Sequence, residues 1–356
     1  MKRSLIICFV FILFISGCIS NFLVKEDGIY AVIYTNMGKF ICKLYYEKAP
    51  ITVGNFIGLA EGTKEFVDPQ TKEKIKKPFY DGSIFNAIIK DKIIQGGCPP
   101  GNVNCTPGYK FADEIDGSLK HDSEGILSMS NDGYPNSNGS RFYISLAPLP
   151  MLDGKSTIFG KVVKDIETIN KIGNTRVDDN YKPYKDVFIK NIKIIRKGQK
   201  AKEFNAEEAF AKNEEALKKY EELKEQKRLK LFKDLGIEED KIITTNIGLK
   251  YFVRKKGTGR MPKPGDYIVA NYTGYLEDGT IFDSSYERNE PIEVKIGVGK
   301  VIPGWDEAFL TMREGEKRVL ILPDYLGYGE YGSPPIIPPK ATLIFDVELI
   351  SVKEKQ

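Results

Sequence analysis

Apolar and polar positions divide the chain into four stretches. Leu5 to Ile15 is one unbroken apolar run. From Gly28 to about Lys197 the pattern is β-rich, with a few helices. Tyr30 to Thr35 and Gly38 to Tyr46 are β-branched and aromatic with partial alternation, and Asn36-Met37 before Gly38 predicts a hairpin between them. Thr52 to Glu61 predicts a helix, capped near Ile51 or Thr52, with Phe56, Leu59 and Ala60 on one face. Gly96 to Gly108 is rich in Gly, Pro and Asn and predicts a loop.

From about Gly198 to Asp240 the pattern changes. No proline occurs between Gly198 and Gly236, and Lys, Glu, Ala and Leu dominate. Glu208/Lys212, Glu214/Lys218 and Glu215/Lys219 are i,i+4 pairs in the favourable order. Phe210, Leu217, Tyr220 and Leu223 make a narrow apolar stripe, which predicts a solvated helical linker. A dimerising coiled coil is disfavoured, because no a/d heptad persists. After Gly236 the β pattern returns, with glycine-rich turns through to Val352. The divisions expected are a leader at 1–17, a tether at 18–27, a first domain at 28–197, a linker at 198–242 and a second domain at 243–353.

Composition narrows the chemistry. The 356 residues fit two globular domains or three. The 53 Lys+Arg nearly balance 49 Asp+Glu, so nucleic acid is not indicated as a partner. His121 is the single histidine, which excludes any site built on two imidazoles. It lies where a structural role is expected. Gly297-Val298-Gly299-Lys300 lacks the spacing and the Ser/Thr of a phosphate loop.

Lys2 and Arg3 precede the eleven-residue apolar run, too short to span a bilayer comfortably. It ends in Ile15-Ser16-Gly17-Cys18, which resembles a bacterial lipobox. That resemblance implies cleavage before Cys18, acylation of Cys18 and a membrane-anchored protein outside the cytoplasm, periplasmic or on the outer surface. The alternatives are an ordinary signal peptide or an uncleaved anchor. Cys98 and Cys105 flank a turn-rich loop that could bring their Cα atoms within the required ~4.4–6.8 Å. A disulfide is expected there in an oxidising compartment, with Cys42 free in a strand; three free thiols is the alternative.

The segments YTGYLEDGTIFDSS (272–285), VIPGWDEAF (301–309), LPDYLGYG ending at Gly329 and IIPPKATLIFDVEL (336–349) together resemble the FKBP family of peptidyl-prolyl isomerases, over about Asn246 to Val352. The resemblance implies an antiparallel β-sheet wrapped around a short helix. It also implies a pocket with Trp305 as floor and Tyr272, Phe282 and Phe345 as walls. The Ile302 amide and the Tyr328 hydroxyl would bond substrate carbonyls, and Asp283 would polarise the site. Ile292, Val301, Ile336 and Ile337 would complete the substrate surface. Proline-containing polypeptides would be the substrates and macrolide FKBP ligands the inhibitors, with no metal or cofactor required. Gly327 is an insertion relative to the family pattern, and Ile292 stands where many members carry an aromatic.

ITVGNFIGLAEG (51–62), IIQGG (93–97), GILSMSN (125–131), NSNGSRFYI (136–144) and LDGKSTIFGKVV (152–163) together resemble cyclophilin, over about Ile29 to Ile195. This implies an eight-stranded closed β-barrel capped by helices, so the whole chain is expected to be mainly β with some α. Phe85, Gln95, Met129, Asn131, Tyr143 and Leu152 keep groove residues. The family's catalytic arginine, however, aligns with Ala87, after Asn86. Its pocket aromatic aligns with Lys92, its tryptophan with Met151 and its pocket histidine with Ser156. Arg141 replaces a glutamine. The expectation is a peptide-binding scaffold with weak isomerase activity. Two functions of different class therefore stand: a tethered folding isomerase, or a lipid-anchored chaperone or surface binding protein with little turnover.

Overall fold

The computed structural model describes residues 24–68, 70–99, 105–334 and 336–353. The lipobox-like residues up to Cys18 lie outside them. The chain divides into two compact units, 1–217 and 218–356.

The first unit is a strongly curled sheet. Its strands are β1 (Gly28–Thr35), β2 (Gly38–Leu44), β5 (Ala87–Ile89), β6 (Ile93–Gly96), β7 (Ile126–Met129), β8 (Phe142–Ser145), β9 (Ile158–Lys164) and β10 (Ile189–Lys197). A two-stranded ribbon, β3 (Phe66–Val67) and β4 (Lys74–Ile75), stands apart. The sheet order is β10-β1-β2-β9-β7-β8-β6-β5. Its two ends are stitched together: the Phe85 amide donates to the Val187 carbonyl and the Ile189 amide to the Ser83 carbonyl, each at 2.8 Å. Curling pairs every interior strand and leaves little open edge.

Helix α1 (Pro50–Glu61) fills one mouth of this curl and is buried over nearly its whole length. Proline opens it and Gly62, at φ 71°, closes it. Ala49 at the N-cap has no capping oxygen. Glu114, from a distant loop, supplies one instead, accepting from the Ile51 and Thr52 amides at 2.9 and 2.7 Å. Phe56 drives the packing, with its ring 5.1 Å from Tyr80 and 5.4 Å from Phe159. A second helix, α2 (Ile166–Gly173), buries Ile169 and Ile172.

The charged segment is helical but not solvated throughout, which corrects the expectation of a linker exposed along its length. It forms α3 (Gln199–Glu203), α4 (Ala206–Ala211) and α5 (Asn213–Asp234). Ala201 is 1% exposed, and Phe210 meets Tyr109 and Phe111 edge-on at 5.8 and 5.9 Å. The close approach of α4 to α1 depends on Gly54, where a Cβ would lie 2.6 Å from the Ala206 carbonyl oxygen. We expect Gly54→Val to undock α3 and α4 at a cost of about 1–3 kcal/mol. Hydrogen exchange would show lost protection over residues 199–211; unchanged protection there would refute the packing argument.

The second unit is an antiparallel sheet in the order β11-β12-β16-β17-β13-β14, with β15 also paired to β13. The strands are β11 (Ile243–Thr244), β12 (Lys250–Lys255), β13 (Tyr267–Leu276), β14 (Ile281–Ser284), β15 (Ile292–Lys295), β16 (Lys317–Leu322) and β17 (Leu343–Lys353). Strand alternation assigns its two faces. Leu343, Phe345, Val347 and Leu349 of β17 pack with Trp305, Ala308 and Phe309 of helix α6 (Pro303–Leu310). Ile344, on the opposite face, packs with Leu231, Phe232 and Leu235 from the end of α5 and just beyond it. Lys224 and Lys227 of α5 reach Glu277 and Asp278 at the β13–β14 turn.

Candidate functional site

In the second unit the site forms where β13, β14, β17 and α6 converge. Tyr272 and Gly274 lie two residues apart on β13 and so face the same side. Gly274 pairs with Phe345 on one neighbour and with Asp283 on the other. The register then slips between Gly274 and Tyr275, which leaves Phe282 as the extra residue of a bulge. A Cβ at Gly274 would stand 2.6 Å from the Phe282 ring and 2.9 Å from Phe345, so only glycine lets both rings close over the strand.

Pro303 starts α6 directly after Ile302 and brings Trp305 beneath these rings. Trp305 meets Tyr272 at 4.9 Å and Phe345 at 5.3 Å, both edge-on, and Phe282 meets Phe345 at 5.5 Å. Tyr272, Trp305 and Phe345 are buried and Phe282 half-buried. The Trp305 Nε1 has no hydrogen-bond partner among the described residues. The loop before α6 is tied by Asp306, whose carboxylate accepts from the Gly297 and Gly299 amides at 2.7 Å each. Those amides, the ones a phosphate loop would need, are therefore already engaged.

Asp283 accepts a hydrogen bond from the Tyr272 hydroxyl at 2.5 Å and another from the Arg288 guanidinium. Arg288 also donates to the Tyr272 oxygen at 2.8 Å. Burial pushes the Asp283 carboxyl up, but the bonds from Tyr272 and Arg288 outweigh it, and the net shift is below the usual carboxylate value. Asp283 is thus a carboxylate at neutral pH. Burial raises the Tyr272 hydroxyl, and its bond to Asp283 raises it further. Arg288 was missed in the sequence, where an arginine five residues beyond Asp283 looks like any surface arginine; only the fold brings it onto Asp283 and Tyr272.

The remaining residues surround this centre unequally. Ile292, Val301 and Ile302 are half-buried and Ile337 is buried, all packed with the same core. Tyr328 is 42% exposed and Ile336 60% exposed, so they stand at the rim. The Ile302 amide is paired with no acceptor among the described residues, since helix α6 uses only its carbonyl, which receives the Trp305 amide at 2.9 Å.

In the first unit, Ala87 pairs with Gln95, and Gln95 pairs with Tyr143. Gln95 is fixed through its amide oxygen by the Ser130 hydroxyl at 2.7 Å. Asn131 and Leu152 are partly exposed, and Met151 is 61% exposed. Two groove assignments need correction. Phe85 and Met129 are each 1% exposed and belong to the hydrophobic core. Phe85 precedes β5 and packs against Phe142, and Met129 ends β7, all four residues of which are buried. Lys92 is exposed in the β5–β6 turn. The Arg141 guanidinium is engaged by Asp132, so it does not stand in for the missing arginine.

Tyr143 is 4% exposed and its hydroxyl lies 2.9 Å from His121 Nε2. His121 is fully buried, with Nδ1 3.1 Å from Asp153 and Nε2 3.2 Å from Ser128. Ser128 is itself fully buried and donates to the Thr157 carbonyl at 2.9 Å, so His121 belongs to an interior hydrogen-bond network. Burial holds the His121 imidazole below its usual value, although Asp153 partly opposes this. The folded state therefore favours neutral His121. Its contribution to stability is present above the usual value of about 6.5 and is lost as pH falls below it. We expect the first unit to lose hydrogen-exchange protection in β7 and β8 on acidification, with His121→Gln flattening that dependence. An equal slope in both proteins would refute it.

Cys98 and Cys105 form a disulfide with Cα atoms 4.6 Å apart, and Cys42 is buried and free. No helix among the described residues is long and apolar enough to cross a membrane.

Residues 30–194 match the family model for cyclophilin type peptidyl-prolyl cis-trans isomerases. Residues 258–350 match that for FKBP-type peptidyl-prolyl cis-trans isomerases. Peptidyl-prolyl cis-trans isomerase CYP18-2 of Arabidopsis thaliana is 42% identical over 164 residues, covering 45% of this chain and 90% of the relative. Peptidyl-prolyl cis-trans isomerase A of Mycobacterium tuberculosis is 41% identical over 167 residues, covering 46% and 91%. Among solved structures, AtFKBP13 is 39% identical and covers 32% of this chain and 98% of its own, with a TM-score of 0.31.

Proposed function

The chain belongs to the peptidyl-prolyl cis-trans isomerases, carrying one cyclophilin-type and one FKBP-type domain, and from that premise we propose that the second domain performs most of the turnover while the first binds proline-containing peptide. The observation that carries this division is a pair of contrasting sites. One has aromatic rings closed around a bonded Asp283. The other has Ala87 beside its fixed Gln95.

Rotation about an X-Pro bond faces a barrier of ~18–20 kcal/mol because the planar amide must give up its resonance. An apolar pocket disfavours the planar, more polar amide. Trp305 lies under the proline ring, with Tyr272, Phe282 and Phe345 around it. Val301, Ile292 and Ile337 extend this apolar surface. The Ile302 amide has no internal acceptor and is available to a substrate carbonyl. Tyr328 at the rim, with Ile336, meets the flanking residues. Asp283 polarises the pocket, and Arg288 is a positioning residue that holds both Asp283 and Tyr272. No nucleophile is consumed and no cofactor enters the reaction.

We further read the protein as acylated on Cys18 and held at a membrane outside the cytoplasm, where it acts on folding chains. The Lys2-Arg3 start, the apolar run and Cys18 support this, and the Cys98–Cys105 disulfide fits an oxidising compartment. Intact mass of the mature chain should give Cys18 as the acylated first residue.

The division of labour is tested on the full chain with a proline-peptide isomerisation assay. An FKBP-directed macrolide should remove nearly all turnover and cyclosporin little. Loss of most turnover to cyclosporin would reverse the assignment. Absence of turnover in a well-folded chain would favour a purely binding role.

A further inference from the structure

The outward face of β10-β1-β2-β9 in the first domain has an unusual charge pattern. Registers put Lys193 beside Val32, Val32 beside Ile41, and Ile41 beside Lys164. One row over, Tyr34 pairs with Lys39. On the other side, Tyr30 pairs with Lys43 and Lys43 with Lys161. Opposed residues of antiparallel strands share a face, so these lysines ring an apolar patch. That patch, made by Val24, Tyr30, Val32 and Ile41, is a cluster separate from the domain's interior core. The one ion pair on this face among the described residues is Lys43 with Glu26. Lys161 bonds the Ser123 hydroxyl. Lys193 and Lys164 are exposed and Lys39 half-exposed, and none of these three has an ion pair among the described residues.

The chain also enters the domain here. Val24 is 5% exposed in this patch. Lys197, next on the same face, donates to the Val24 and Lys25 carbonyls at 3.1 and 2.8 Å. Cys18 lies six residues before Val24. Six residues span at most about 20 Å when extended. An anchor at Cys18 would therefore hold this face within reach of a bilayer surface.

We propose that the lysine-ringed outer face of the first domain docks on anionic phospholipid headgroups. This rests on the reading of Cys18 as an anchor, but it makes a separate claim about the face. The lysines supply the attraction, and Tyr30, Val32 and Ile41 between them are buried and serve only to hold the face together. The attraction acts only within a Debye length of about 8 Å at physiological salt, which is why a short tether matters. Docking would fix how the peptide-binding groove is presented to chains near the membrane.

The test uses the full chain with Cys18→Ser, which cannot be acylated, so any binding reports the face and not the anchor. Sedimentation is measured with vesicles of phosphatidylcholine alone and with vesicles containing phosphatidylglycerol. Each lysine near an anionic surface is worth about fivefold in partitioning. Replacing Lys39, Lys164 and Lys193 together by Glu should therefore lower binding to phosphatidylglycerol vesicles by at least 100-fold, roughly. Replacing Lys212, Lys219 and Lys230 by Glu makes the same change in net charge and should lower it far less. Should the first variant misfold, the same three positions as Gln give the same direction with a smaller loss. Equal binding to both vesicle types, no loss in the face variant, or equal loss in the control would overturn the proposal. Failure of acylation would appear separately, as an unmodified Cys18 in the mass of the parent chain.

Discussion

Phe345→Ala is expected to cost the second domain about 3–5 kcal/mol of stability and to lower its isomerase rate at least tenfold, or about 1.4 kcal/mol of barrier. Phe345 is 3% exposed and touches three other rings of the pocket. Its removal leaves a cavity beside Trp305 and admits water where an apolar surface lowers the barrier. Denaturant unfolding read by Trp305 fluorescence reports this domain alone, because Trp305 is the single tryptophan. Phe345→Leu separates the two effects: it keeps most of the apolar volume, so stability should largely return while the rate stays low. A Phe345→Ala protein with unchanged rate when folded would show that this ring is packing only.

Ala87→Arg is expected to raise the turnover of the first domain by about 10-fold to 10²-fold, below the 10²–10³ that one preorganised donor can supply. Ala87 is partly exposed and sits opposite Gln95, which Ser130 already holds in place. The neighbouring polar group is therefore preorganised and the missing part is the cation. Full recovery is not expected, because Met151 and Ser156 also differ from the family pattern. The measurement is made on the full chain with the second domain saturated by macrolide. No gain in a folded variant would refute the proposal that Ala87 limits turnover by this domain.

Both predictions start from positions that the family resemblances already mark, and the structure supplies their surroundings. The motif around Trp305 gave its position in a family pattern. The edge-on ring contacts and the role of Gly274 appear only when β13, β14 and β17 are brought together. Arg288 shows the limit most clearly. It is an ordinary surface arginine in the sequence, and becomes part of the site because a turn folds it back onto Asp283 and Tyr272. Phe85 and Met129 fail in the other direction. Each was placed in the groove by resemblance, but tertiary packing closes over both and they belong to the core.

What the sequence by itself determined is the class of each domain and the chemistry it can host. The motifs that resemble the two families carry that information, and local rules add less: β-branched alternation marks strands, and one histidine excludes paired imidazoles. Tertiary structure alone decided the surroundings of each group. The charged segment illustrates the difference. Its composition favours a solvated helix, and that is a statement about average polarity. Gly54 lets a backbone approach to within contact of α4, and Phe210 finds two rings and is half-buried, while Leu223 of the same stripe stays 50% exposed. The same holds for the lysines of the outer face, which are scattered in sequence over residues 39 to 197 and gather only because the register of four strands sets them side by side. Contacts between distant residues depend on register and close approach, and neither is encoded in any single local window.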